Sequence, residues 1–122
     1  MTHKLLVIDD DIIIVNPVKK FFKIRNFYVI SAQTGKEGLK KFKSEKPNIV
    51  LVDLNLPDIK GEEIVKEIRK TDKEIIIIVI TGYGSIQSAV NLFKLGINDY
   101  ILKPFEMEEL YLIIEKILQH KK

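Results

Sequence analysis

Five times along this chain a short apolar run gives way to a longer stretch in which apolar residues recur at three- and four-residue spacing. The runs fall at residues 5–8, 27–31, 49–52, 75–80 and 100–102, and those at 5–8, 49–52 and 75–80 are apolar at every position. A strand with one wet face alternates polar and apolar side chains. An uninterrupted run marks a strand covered on both faces, which is the condition of a parallel sheet sandwiched between helices. Right-handed crossovers through the intervening helices make the strands parallel. The expectation is an α/β domain of three layers, a doubly wound five-stranded parallel sheet, occupying residues 1–122 as one domain.

The amphipathic stretches carry their own signals. Ile14, Val18, Phe21 and Phe22 share one face of the first helix. Pro17 lies inside that pattern, where it would remove a hydrogen bond. The helix therefore either starts at Asn16–Pro17, a good N-cap and first residue, or has a distorted first turn. Thr34 and Glu37 form a capping box ahead of Leu39 and Phe42, and Pro47–Asn48 ends that helix. Pro57 and Gly61 mark a loop before Ile64, Val65 and Ile68. Ser85 can cap a fourth helix whose face is Ile86, Ala89, Val90 and Phe93, and Gly96 ends it. Met107, Leu110, Ile113, Ile114 and Ile117 define the last helix.

Composition removes whole classes of chemistry. The chain has no cysteine, so thiolate zinc sites and cysteine nucleophiles have no source; its two histidines, His3 and His120, stand near opposite ends, so neither a histidine-rich metal site nor a Ser/His/Asp triad is expected. The longest apolar run is too short to span a bilayer, and the first residues do not form a signal peptide; no membrane association and a cytoplasmic location are the expectation. A net charge of +3 with lysines spread along the chain gives no basic stripe, so no direct nucleic-acid contact is expected.

In doubly wound sheets ligands bind outside the carboxyl ends of the strands. Here those ends carry Asp9-Asp10-Asp11, Asp53, Thr81-Gly82 and Lys103-Pro104. Carboxylates converging on one pocket repel one another, and a hard divalent cation such as Mg²⁺ removes the conflict. A lysine and a hydroxyl beside such an ion suit a phosphoryl group, with Asp53 as the nucleophile that accepts it. Each residue has a duller role open to it. Asp11 reads better as a helix cap, Asp53 could be turn chemistry, Thr81 a cap and Lys103 a surface lysine. Together, four strand ends supplying compatible chemistry outweigh those separate readings.

The motifs Leu-Val-Ile-Asp9-Asp10, Val-Asp53-Leu-Asn-Leu-Pro57 with Gly61, Ile-Thr81-Gly82 and Tyr100-Ile-Leu-Lys103-Pro104-Phe105, in this order, resemble the receiver domain of two-component response regulators over residues 4–118. The resemblance implies a flavodoxin-like strand order of 2-1-3-4-5. It implies Asp53 as phosphoacceptor, and Mg²⁺ held by Asp9, Asp10, Asp53 and the Asn55 carbonyl. Thr81, Lys103 and the N–H groups of Asn55 and Gly82 would hold the phosphoryl group. Thr81 and Tyr100 would act as the switch, and Lys103–Pro104 would be a cis peptide. The implied activity is phosphorylation-controlled signalling, without turnover of external substrates. The implied partners are a histidine kinase or phosphotransfer protein, docking near Ile13, Ile14, Pro17 and Phe105, and a downstream protein target or tethered output domain. The latter would meet the face of helix four, strand five and helix five (Ser88, Asn91, Lys94, Asp99, Tyr100, Phe105, Glu108 and Glu109), through which a homodimer could also form.

Three rivals can be set against this. A Mg²⁺-dependent aspartate phosphatase would want a second carboxylate two residues after the nucleophile, where this chain has Asn55. A receiver that is never phosphorylated would lack one or more of the acidic, threonine or lysine positions, all of which are kept. An FMN site would meet an acidic first loop that repels phosphate. In receivers the second residue after the threonine tunes phosphate lifetime, and a bulky Tyr83 would shield the acyl phosphate from water. Tyr83→Ala is expected to shorten the half-life of the phosphorylated chain, followed by loss of the phosphoryl mass.

Overall fold

The computed structural model describes residues 3–82 and 86–121. Strands and helices alternate as β1 (His3–Ile8), α1 (Ile12–Ile24), β2 (Phe27–Ala32), α2 (Gly35–Glu45), β3 (Ile49–Asp53), α3 (Gly61–Thr71), β4 (Ile76–Thr81), α4 (Ile86–Leu95), β5 (Asp99–Leu102) and α5 (Met107–His120). The five strands form one parallel sheet in the order β2-β1-β3-β4-β5, as the resemblance implies.

The two-residue period of a strand explains why the central runs are apolar throughout. Leu5, Val7, Ile49, Leu51, Ile78 and Ile80 pack on one face against Val18 and Phe22 of α1 and Leu110 and Ile114 of α5. Their neighbours Leu6, Ile8, Val50, Val52, Ile77 and Val79 pack on the other face against Phe42 of α2, Ile64, Val65 and Ile68 of α3, and Leu92 of α4. Among the described residues no helix is long and apolar enough to cross a membrane.

Helix α1 starts at Ile12, not at Asn16: Asp11 is its N-cap, and the Asp11 carboxylate accepts the Ile13 N–H at 2.9 Å. Pro17 is therefore interior to the helix. It lies on the exposed side, so the carbonyl it leaves without an intrahelical donor belongs to Ile13, whose residue is 79% exposed. The capping box of α2 is also modified. Thr34 Oγ1 accepts the Glu37 N–H at 3.1 Å, but Glu37 Oε1 returns to the N–H of Gln33 at 2.8 Å, one residue earlier than the motif requires.

The largest departure is in α4. Its sequence carries two apolar stripes, and the core takes the one containing Leu92, which is fully buried, with Leu95 partly buried beside it. Val90 and Phe93, on the stripe expected to face inward, are 41% and 48% exposed. Ser85 and Tyr83 lie outside the described residues, as does the side chain of Ile86. Gly96 closes the helix with φ +104°, a conformation that favours glycine. Arg69 of α3 fastens this end: Nε and Nη2 donate to the Gly96 carbonyl at 2.9 and 2.8 Å, and Nη2 also reaches Asn98 Oδ1 at 3.1 Å.

The inverted face of α4 is directly testable by urea denaturation. Leu92→Ala is expected to cost ~2–5 kcal/mol of stability, as a buried truncation does. Phe93→Ser is expected to change stability by no more than ~0.5 kcal/mol. The opposite ranking would restore the face read from periodicity.

Candidate functional site

Helix α1 leaves β1 toward one face of the sheet and α3 leaves β3 toward the other, so a crevice opens between the carboxyl ends of these two neighbouring strands. Main-chain hydrogen bonds extend the ladders by one step there. The Asp9 N–H donates to the Ala32 carbonyl at 3.0 Å, the Leu54 N–H to Ile80 at 3.3 Å, and the Lys103 N–H to Thr81 at 2.8 Å. Asp9, Asp53, Thr81 and Lys103 are thus positioned by sheet geometry rather than by loop conformation.

Carboxylate oxygens of Asp9, Asp10 and Asp53 lie within 4.8 Å of one another. Asp9, Asp53 and Thr81 are buried and Asp10 is exposed. The Lys103 ammonium spans the acids, 3.0 Å from Asp9 Oδ2 and 3.5 Å from Asp53 Oδ2. The other oxygens have main-chain donors: Asp9 Oδ1 accepts the Asp11 N–H at 2.9 Å, and Asp53 Oδ1 accepts the Asn55 N–H at 3.2 Å. Gly82 is exposed at the tip of β4, with open space around its Cα. Tyr100 is partly buried against the core on the α4 side. The Lys103–Pro104 peptide is cis, as expected.

Burial raises the Asp9 carboxyl to about 6, and the Asp53 charge adds to the rise, against the Asp11 N–H and the Lys103 ammonium, which pull it down. Burial lowers the affinity of Lys103 for its proton, but the neighbouring Asp9 and then Asp53 outweigh this and leave it raised. Asp9 Oδ2 is buried and accepts no well-aimed hydrogen bond; its contact with Lys103 is ionic. A buried carboxylate oxygen whose near partner is an ammonium, beside two further carboxylates, is a donor set that suits a hard cation. The cluster could hold a metal ion.

The loop after Asp53 adds two residues to the site. Gly61 donates its N–H to the Leu54 carbonyl at 3.2 Å, and a Cβ there would lie 2.7 Å from Leu54 Cα and 3.1 Å from the Asp53 carbonyl, so only glycine lets α3 begin so close to Asp53. Asp58, read from the sequence only as part of a turn-rich loop, instead reaches across to α2: its two oxygens accept the Gly35 and Lys36 N–H groups at 2.8 and 2.9 Å. No local sequence pattern announces a cap supplied from more than twenty residues away.

A doubly wound sheet with an acid pair at β1, a buried aspartate at β3, a threonine at β4 and a lysine before a cis-proline at β5 is the arrangement of the receiver class of α/β domains. The model of the response regulator receiver domain matches residues 5–115, and the chain belongs to that family. Regulatory protein AtoC of Escherichia coli (strain K12) is 30% identical over 117 residues, covering 96% of this chain and 25% of that protein. Among solved structures, a CheY-like receiver domain from Methanospirillum hungatei superposes with a TM-score of 0.94 at 31% identity, covering 98% of this chain and 96% of that one. A response regulator from Burkholderia pseudomallei with a phosphorylated aspartic acid, calcium ion and citrate superposes with a TM-score of 0.86 at 27% identity, covering 98% and 72%. The chain spans a quarter to about half the length of the first curated relatives it matches.

The Asp9 carboxyl has a pH signature. Unfolded, it releases its proton near 3.8; folded and metal-free, near 6. Between these values the folded chain holds the extra proton, so this group's contribution to stability falls as pH rises through the window, and the loss is complete above it. Urea denaturation of metal-free protein from pH 4 to 7 is expected to show Asp9→Asn gaining stability relative to wild type as pH rises. A constant difference between the two across that range would place the Asp9 carboxyl at its ordinary value.

Proposed function

We propose that this chain is the phosphorylation-controlled switch of a two-component pathway. In this reading Asp53 accepts a phosphoryl group from a histidine kinase, a phosphotransfer protein or a small phosphodonor. One observation carries it: the oxygens of Asp9, Asp10 and Asp53 gather within 4.8 Å, and a lysine ammonium touches Asp9 and Asp53. Family membership and the phosphorylated aspartic acid of the Burkholderia relative support it.

Asp9, Asp10, Asp53 and the Asn55 carbonyl would hold Mg²⁺, which when bound neutralises the acids and the oxygens of an incoming phosphoryl group. An oxygen of Asp53 forms the bond to phosphorus while the bond from phosphorus to the donor breaks, its electron pair leaving with the donor. Lys103 lies on the Oδ2 side of Asp53 and the Asn55 N–H on the Oδ1 side, so charge and hydrogen bonding orient the carboxylate before attack. After transfer the ammonium, the Thr81 hydroxyl and the Gly82 N–H hold the new oxygens. Drawing Thr81 and Lys103 toward the phosphoryl group changes the packing available to Tyr100 and shifts the population of the α4–β5–α5 face.

Exposed apolar groups suit the partners. Ile12 and Ile13 flank the site on α1 at 53% and 79% exposure, where a kinase or phosphotransfer helix would dock. Val90, Phe93 and Leu102 stand out on the α4–β5 face, where a protein target, a tethered output domain or a second copy would bind. No membrane or direct nucleic-acid contact enters this reading, which places the chain in the cytoplasm. It catalyses only its own phosphorylation and slow dephosphorylation.

Intact-mass analysis after exposure to acetyl phosphate and Mg²⁺ tests the proposal. Wild type is expected to gain one phosphoryl group and Asp53→Asn none. Lys103→Ala is expected to be phosphorylated ~10²-fold more slowly, as when a transition-state charge partner is lost. Equal gain in Asp53→Asn, or steady release of phosphate from a generic ester that depends on Asp53, would replace the switch with another activity.

A further inference from the structure

Asp58 stands outside the acid cluster, is exposed, and has no part in the chemistry above. Its contacts are nevertheless specific. Each carboxylate oxygen takes a separate N–H from the first turn of α2, Gly35 at 2.8 Å and Lys36 at 2.9 Å. Those two donors, and the positive end of the helix behind them, hold the Asp58 carboxyl below its ordinary range. Gly35 is shaped to this contact: a Cβ there would lie 2.9 Å from Ile59 Cβ and 3.2 Å from Asp58 Oδ1.

The loop that Asp58 anchors is the one that leaves Asp53. Leu54, Leu56 and Ile59 tuck against the core. Asn55 pairs with Lys60 across the loop, Gly61 donates to the Leu54 carbonyl, and the Asn55 N–H donates to Asp53 Oδ1. The loop is therefore closed on itself at its base, while its tip is fastened to a different helix. α2 packs in turn on β1, the strand that leads into Asp9, and a Cβ on Gly38 would lie 2.6 Å from Ile8 Cδ1.

We infer that Asp58 is a positioning residue: by tying the loop after Asp53 to the first turn of α2, it fixes the Asn55 main chain relative to the Asp9–Asp10–Asp53 cluster. The inference rests on the proposed metal site for its functional consequence, but not for its mechanical one. Freed from α2, the loop tip would let Asn55 sample orientations in which its N–H leaves Asp53 Oδ1 and its carbonyl leaves the cluster. The penalty falls on metal affinity and on the rate of phosphorylation, through geometry rather than charge.

Thr34 supplies the control, because it caps the same helix through the Glu37 N–H without touching the loop. Asp58→Ala and Thr34→Ala each remove one N-terminal cap of α2 and are expected to lower the thermal midpoint comparably. In metal-free protein, amide hydrogen exchange at Asn55 and Gly61 is expected to quicken by about tenfold in Asp58→Ala and to stay at the wild-type rate in Thr34→Ala. Mg²⁺ titration of the three proteins, followed by amide chemical shifts, is expected to show affinity weakened by about three- to tenfold only in Asp58→Ala, at or below the range seen when a partner of a metal ligand is removed. Exchange at Asn55 and Gly61 that is unchanged in Asp58→Ala, or quickened equally in Thr34→Ala, would reduce Asp58 to an ordinary cap and overturn the inference. Wild type that ignores Mg²⁺ while Asp58→Ala alone shows faster exchange would uphold the tether and overturn the metal site instead.

Discussion

One lysine makes the carboxyl edge of this sheet tenable. Asp9 is fully buried and Asp53 nearly so, and their charges oppose each other across neighbouring strand tips. The Lys103 ammonium, in contact with both, offsets part of that repulsion. The balance is incomplete, since Asp9 still holds its proton more tightly than an exposed aspartate. Because Lys103 is held through its own N–H to the Thr81 carbonyl, the same residue couples the acids to the strand that ends in the hydroxyl.

The fold was legible because its central strands leave little room for another reading. Runs such as 75–80 offer no polar face, so they lie between two layers, and the alternation with amphipathic stretches makes the strands parallel, while their order follows from the family resemblance. Asp9, Asp53, Thr81 and Lys103 were legible for a related reason: each stands at the first polar position after an apolar run. What stayed hidden involves choices that sequence periodicity leaves degenerate. Helix α4 has two apolar stripes, and only packing beside α3 and β5 selects Leu92 over Phe93. Pro17 reads from sequence either as a helix start or as a residue within a distorted first turn; Asp11 caps earlier, and the proline is set inside the helix on the wet side. The Asp58 contact has no periodic signature at all, because it joins residues remote in the chain through side chain and backbone.

The two halves of the core differ in make-up. The layer beneath α1 and α5 gathers aromatic rings, with Phe21, Phe22, Phe27 and Tyr111 meeting at centroid distances of 5.0 to 6.4 Å, mostly edge to face. The layer beneath α2, α3 and α4 is aliphatic apart from Phe42 and the half-buried Tyr100.

Arg69 pins the closing end of α4. Its guanidinium grips the Gly96 carbonyl through two nitrogens and Asn98 through one of them, at the end of the helix remote from Thr81. A rod pinned at one tip cannot slide along its axis; it can only pivot. A nudge of an ångström near the strand tips would therefore become a tilt whose amplitude shrinks to nothing at Gly96 and is greatest at the first turn. About such a pivot Val90, further from Gly96, would sweep further than Phe93, and a partner seated on both would sense the change as an angle rather than as a distance.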